Sequence, residues 1–166
     1  MDEEGLRLAK EHGTWLVMDI FNGDWIEEVG TRDGWPAEYL RKNRETTDLQ
    51  RQGFARGVRI GTPIAYGTDA GVYPHGLNAR QLRYMVRYGM TPMKALASAT
   101  SEAAKALGRA DLGSVKPGHL ADLVAVDRDP LQDVSALQCI AGVIQGGRLV
   151  HREDAAARCD RWEPAQ

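Results

Sequence analysis

The apolar positions of this chain change rhythm once, near Leu112. Before that point, short continuous apolar runs alternate with stretches whose apolar residues recur three or four apart, the pattern of buried strands between amphipathic helices. Residues 2–12 predict a short helix, capped by Asp2, with Leu6 and Ala9 inward and Gly13 ending it. Thr14 to Ile20 predicts a buried strand through Trp15-Leu16-Val17-Met18. Residues 21–35 read as a loop, because Asn22-Gly23-Asp24 and Asp33-Gly34 are turn formers. Pro36 opens a polar helix from Ala37 to about Arg56, whose apolar residues include Tyr39, Leu40, Leu49 and Phe54. A second strand, about Ile64 to Gly67, leads through the loop Asp69–Gly76 into a helix from Leu77 to Tyr88, with Asn78 as its cap and Gly89 as its end. Thr91-Pro92 is a cap followed by proline at the first helical position and opens Met93–Ala99; Glu102–Leu107 follows, closed by Gly108. This βαβα order predicts an α/β fold with parallel strands.

Beyond Leu112 the pattern is β-rich. Lys116-Pro117-Gly118 is a turn, Leu120–Val126 a strand, and Ile140–Ile144 with Arg148–Val150 flank Gln145-Gly146-Gly147 as a hairpin. This segment is expected to pack in a small sheet or sandwich. Residues 152–166 are polar and Ala-rich, a helix or a frayed tail.

Length and charge narrow the function. The 166 residues suffice for one domain with its own core, but a closed (β/α)8 barrel needs roughly 250. With 21 basic against 23 acidic residues and no basic tract, nucleic acid is not an expected partner. No apolar run approaches the roughly 18–20 residues of a membrane span, and the acidic start Met1-Asp2-Glu3-Glu4 is unlike a secretory signal, so a cytoplasmic location is expected. Cys139 and Cys159 have no metal-type spacing, and each reads as a free thiol. Gly67, Gly71 and Gly76 lack the spacing of a dinucleotide fingerprint.

The stretch with the most chemistry is Thr62-Pro63-Ile64-Ala65-Tyr66-Gly67-Thr68-Asp69-Ala70-Gly71. An apolar run ends in a carboxylate and then a glycine, as when a buried parallel strand delivers an acid to the C-terminal rim of an α/β fold. Asp69 is therefore the first candidate for a catalytic residue. Tyr66–Gly71 resembles the eighth barrel strand of the amidohydrolase superfamily, and Thr91-Pro92-Met93-Lys94-Ala95-Leu96-Ala97-Ser98-Ala99-Thr100, with Ala103 to Gly108, resembles the helices after it. Gly113 to Asp127 resembles the re-entry into that superfamily's β-sandwich domain, and Gly142–Val150 its closing hairpin. Val72-Tyr73-Pro74-His75-Gly76 and Thr14-Trp15-Leu16-Val17 are most similar to the imidazolonepropionase-like and Xaa-Pro dipeptidase-like branch.

The resemblance implies the last βα units of a (β/α)8 TIM-type barrel in residues 1–111, β-sandwich strands in 112–151 and a C-terminal tail in 152–166. The predicted helix at 2–12 and the two strands then correspond to helix six and strands seven and eight. It also implies one or two divalent metals, usually zinc, held by a His-x-His, often a carboxylated lysine, two single histidines and the strand-eight aspartate. Only the last has a counterpart here, Asp69, as metal ligand and catalytic carboxylate. A metal lowers the pKa of bound water to around 7, and a neighbouring carboxylate takes the proton and passes it to the leaving amine. The implied substrate is a small-molecule amide or peptide, with His75, Tyr73, Phe21 and Asn22 as candidate binding residues. His75 reads equally as an exposed loop residue, and His12, His119 and His151 are too scattered for a metal cage. The missing ligands imply a complementary N-terminal barrel polypeptide or self-association. The alternative is a non-catalytic fragment acting as an association module.

Overall fold

In the computed structural model, which describes residues 1–153, two strands and six helices form one packed body with a three-stranded sheet beside it. The expectation for 154–166 lies outside the described residues. Helix α1 spans Glu3–Glu11, and the Asp2 carboxylate accepts from the Gly5 N–H at 2.9 Å, satisfying a first-turn donor as the sequence predicts. Strand β1, Leu16–Met18, pairs in parallel with β2, Ile64–Tyr66, in the register Leu16↔Ile64 to Met18↔Tyr66. Both are shorter than the apolar runs that announce them, because the ladder stops where the chain turns into the rim loops.

The crossover between them differs from expectation. Residues 21–35 contain a helix, α2, Asn22–Arg32, packed against α3, Ala37–Ile60. The glycine read as a turn former is instead a contact surface: a Cβ on Gly23 would collide with the Thr47 side chain of α3. Removing one side chain lets two helix backbones approach, and that use of glycine has the same local signature as a turn. Helix α3 also runs four residues past Arg56, to a left-handed cap at Gly61 whose N–H bonds back to Gly57 and Val58.

Helices α4, Arg80–Arg87, α5, Pro92–Ala99, and α6, Ser101–Ala106, complete the body. Thr91 caps α5 by accepting from the Lys94 N–H at 3.3 Å, with Pro92 at the first position, as expected. Asn78 does not cap α4. It accepts from the Gly76 N–H and donates to Thr68 Oγ1, both at 3.1 Å, so it ties the loop after β2 to the strand end. The core gathers Leu6 from α1, Leu16 and Ile64 from the strands, Phe54 from α3, and Leu82 and Met85 from α4.

Strands β3, Leu123–Val126, β4, Ile140–Gln145, and β5, Arg148–Arg152, form an antiparallel sheet in sequence order. Gly146 and Gly147 both have positive φ, 54° and 77°, which a two-residue hairpin of the favoured twist requires. A 3-10 turn, Val134–Gln138, precedes β4 and sends Val134 into the main core, joining the sheet to the helical body. Cys139 is disulfide-bonded, which corrects the expectation of a free thiol. Among the described residues, no helix is long and apolar enough to cross a membrane.

Candidate active site

Side chains alternate faces along a strand. In β1, Leu16 enters the core while Val17 is exposed. In β2, Ile64 enters the core, and two residues beyond the strand's central Ala65 the bare Cα of Gly67 lies against the Val17 side chain. The open face thus carries Val17 and Gly67, and two residues further along each chain stand Asp19 and Asp69. Both strands end in a carboxylate at the same rim.

Asp69 follows β2 by three residues. Its Oδ2 accepts from the Asn22 carboxamide at 3.2 Å, and its backbone carbonyl accepts from the Val72 N–H at 3.0 Å, closing the loop behind it. Asn22 reaches this position because it opens α2, immediately after the β1 rim.

Asp19 was not among the expected site residues. Its Oδ1 accepts from the backbone N–H groups of Phe21, at 3.0 Å, and Asn22, at 3.4 Å, so it serves the start of α2 from outside the helix. Its Oδ2 is enclosed without a well-aligned donor. Burial pushes its carboxyl above the usual 3.8 and the Asp69 charge pushes the same way, while the Phe21 and Asn22 amides and, least, the Asp69 backbone oppose the rise. The signal that found Asp69, an apolar run ending in an acid, is present at Met18-Asp19 as well.

Phe21 and Tyr73 are buried against each other, ring centroids 4.9 Å apart and edge-on. The Tyr73 hydroxyl is enclosed without a well-formed hydrogen bond. Burial raises its pKa, Thr68 opposes, and the charges of Asp19 and Asp69 raise it further. Tyr66, on the helix side, donates its hydroxyl to the Asn78 carbonyl. Expected residues Asp69, Asn22, Phe21 and Tyr73 are therefore brought together around the two strand ends. His75 sits on the exposed part of the loop, apart from them in its hydrogen bonding.

Gln81, another residue that sequence reasoning passed over, is fully buried beneath this rim, with 0% of its surface exposed. It accepts from the Ile20 N–H and donates to the Met18 carbonyl, both at 3.1 Å, and donates to the Gly67 carbonyl. A polar residue on an amphipathic helix gives no sequence sign that it faces inward.

Among the described residues, no three of His, Cys, Asp and Glu converge as a metal cage requires. Asp69 offers a single carboxylate to any cation at this rim.

The sequence profile of the amidohydrolase family matches residues 1–150. An ochratoxinase from Aspergillus niger is 32% identical over 162 residues, which cover 89% of this chain and 32% of that protein. A solved Xaa-Pro dipeptidase with methionine bound in its active site is 39% identical, with a TM-score of 0.82 over 92% of this chain and 38% of that one. A prolidase solved with N-methylphosphonate-L-proline is 27% identical, with the same TM-score and the same coverage. The chain spans about a third of the length of the relatives it matches. The match across nearly the whole chain makes this protein a member of the amidohydrolase family.

Proposed function

We propose that this chain supplies a carboxylate half-site to a metal-dependent amidohydrolase that cleaves an amide or peptide-type C–N bond, as in a dipeptide or an N-acyl amino acid. The observation that carries the reading is Asp69, at the C-terminal end of β2 and oriented by Asn22, in a chain of this family. On this reading β1 and β2 are strands seven and eight of a (β/α)8 barrel, residues 1–111 are its C-terminal portion, and 112–151 are strands of a β-sandwich domain. The dipeptidase and prolidase similarity supports the substrate class.

A divalent cation fits Asp69 in its donor chemistry: a carboxylate whose second partner is a fixed amide is the usual pairing of a ligand with its orienting neighbour. One carboxylate does not complete a site, so one or two zinc ions would be held by Asp69 with ligands from outside this chain. When bound, such a cation would supply water acidic near neutral pH and would polarise the scissile carbonyl. Asp69 takes the proton of the attacking water on a carboxylate oxygen and returns it to the leaving amine nitrogen. Asn22 holds that carboxylate in orientation. Phe21 and Tyr73 would back the substrate from behind the two strand ends, and Asn22 and His75 would meet its polar groups.

The open face supports the partner required. Val17 is 62% exposed beside Gly67, and each strand of the parallel pair keeps one edge unpaired among the described residues. A complementary N-terminal barrel polypeptide carrying the histidines would cover both. The same face favours a second reading, an association module without activity, met by further copies of this chain.

Purification without tags or chelators, with intact masses and metal content read on the same fraction, separates the two. The hydrolase reading expects a co-eluting histidine-bearing polypeptide with about one or two zinc per pair. The chain alone or self-associated, without metal, contradicts it.

A further inference from the structure

The ladder between β1 and β2 ends at Met18↔Tyr66, yet the chain must hold both carboxylates for at least one residue more. Beyond that point the Gly67 carbonyl and the Ile20 N–H lie outside the strands, and a buried backbone group without a partner is costly. Both are taken by one side chain, the Gln81 carboxamide, which also donates to the carbonyl of Met18, the last residue of β1. Burying a carboxamide is itself unfavourable unless its hydrogen bonds are made, and here donor and acceptor ends are both used. The anchor is firm, since Gln81 shares α4 with Leu82 and Met85, both in the core.

Its bonds bracket the two acids. Met18 and Ile20 flank Asp19 on either side, and Gly67 lies two residues before Asp69. We propose that Gln81 is a positioning residue that fixes the two rim carboxylates relative to each other by clamping the ends of β1 and β2. Its meaning for catalysis rests on the reading of Asp69 given above; the clamp itself does not. An apolar side chain of the same length would fill the volume but lose three hydrogen bonds to the backbone, and a carboxylate would set a negative charge against two carbonyl oxygens while keeping the acceptor for Ile20.

Hydrogen exchange on the full chain tests this. Two amides report on the acids without touching Gln81: Phe21, whose N–H is held by the Asp19 carboxylate, and Val72, whose N–H is held by the Asp69 carbonyl. In Gln81→Met both are expected to exchange about tenfold faster or more, while Ala95, at the start of α5, changes less than about twofold. Unchanged rates at Phe21 and Val72, or an equal acceleration at all three, would overturn the clamp, since the latter is ordinary loss of core stability. If Gln81→Met does not fold, Gln81→Glu is read in the same way against the same outcomes. In the assembled hydrolase, either variant should lower kcat with KM held. Should Asp69→Asn leave activity intact, the catalytic reading falls while the exchange pattern stands, so the two failures are distinguishable.

Discussion

The parallel pair with its helices and the antiparallel sheet after it are built to different degrees of closure. In the first, Leu6, Phe54, Met85 and Gln81 are fully buried, and the Gln81 carboxamide bonds at both its ends. In the second, every residue of β5 is exposed, and Val124, Leu149 and Val150 turn apolar surface to solvent. The two rim carboxylates, Asp19 and Asp69, stand in the first kind of environment, where packing rather than a hairpin alone sets the geometry. The antiparallel sheet and the face at Val17 instead leave apolar side chains exposed.

That contrast can be broken most directly in the core. Phe54→Ala should cost about 3–5 kcal/mol, seen as a large fall in the melting temperature. Gly23→Ala should cost about 1–3 kcal/mol, because its new methyl group meets Thr47 where α2 crosses α3. Leu149→Ala, on the exposed hairpin, should stay within about 0.5 kcal/mol by the same assay. A result as large as that of Phe54→Ala would mean that the sheet is buried in solution against something else.

Titration sharpens the comparison with opposite signs. Asp19 has a raised pKa because of burial, so the folded state binds its proton more tightly than the unfolded chain. Its contribution is fully present below 3.8 and is lost as pH rises through the raised folded value. Asp133, beside the sheet, is lowered by the Ser135 hydroxyl and backbone N–H. Its contribution is present above 3.8 and fades as pH falls through the depressed value. Melting temperature against pH should therefore lose its decline above 3.8 in Asp19→Asn, and lose part of its acid-side decline in Asp133→Asn. The second effect should be the smaller, since Asp133 is exposed.

Legibility followed the same division. The caps at Asp2 and Thr91, the paired apolar runs and the Gly146-Gly147 turn were readable because each is a local rule that the fold obeys. Asp69 was readable because a strand that ends in an acid is a local pattern too. Helix α2 was not, since Gly23 serves a contact with Thr47, 24 positions along the chain, that no neighbouring residue announces. Gln81 was invisible for the same reason: its three partners lie 14 to 63 residues away in sequence. Asp19 carried the same local pattern as Asp69, and only the register Met18↔Tyr66 reveals that the two acids stand together.

The central claim is that Asp69 is the carboxylate this chain contributes to a hydrolytic site. Its most direct test is the rate of amine release from dipeptides and N-acyl amino acids by the zinc-loaded, assembled hydrolase, compared with Asp69→Asn. In Asp69→Asn, kcat should fall about 10²–10⁴-fold, with an unchanged melting temperature for a side chain that supports no core. Activity within about twofold of the parent would contradict it.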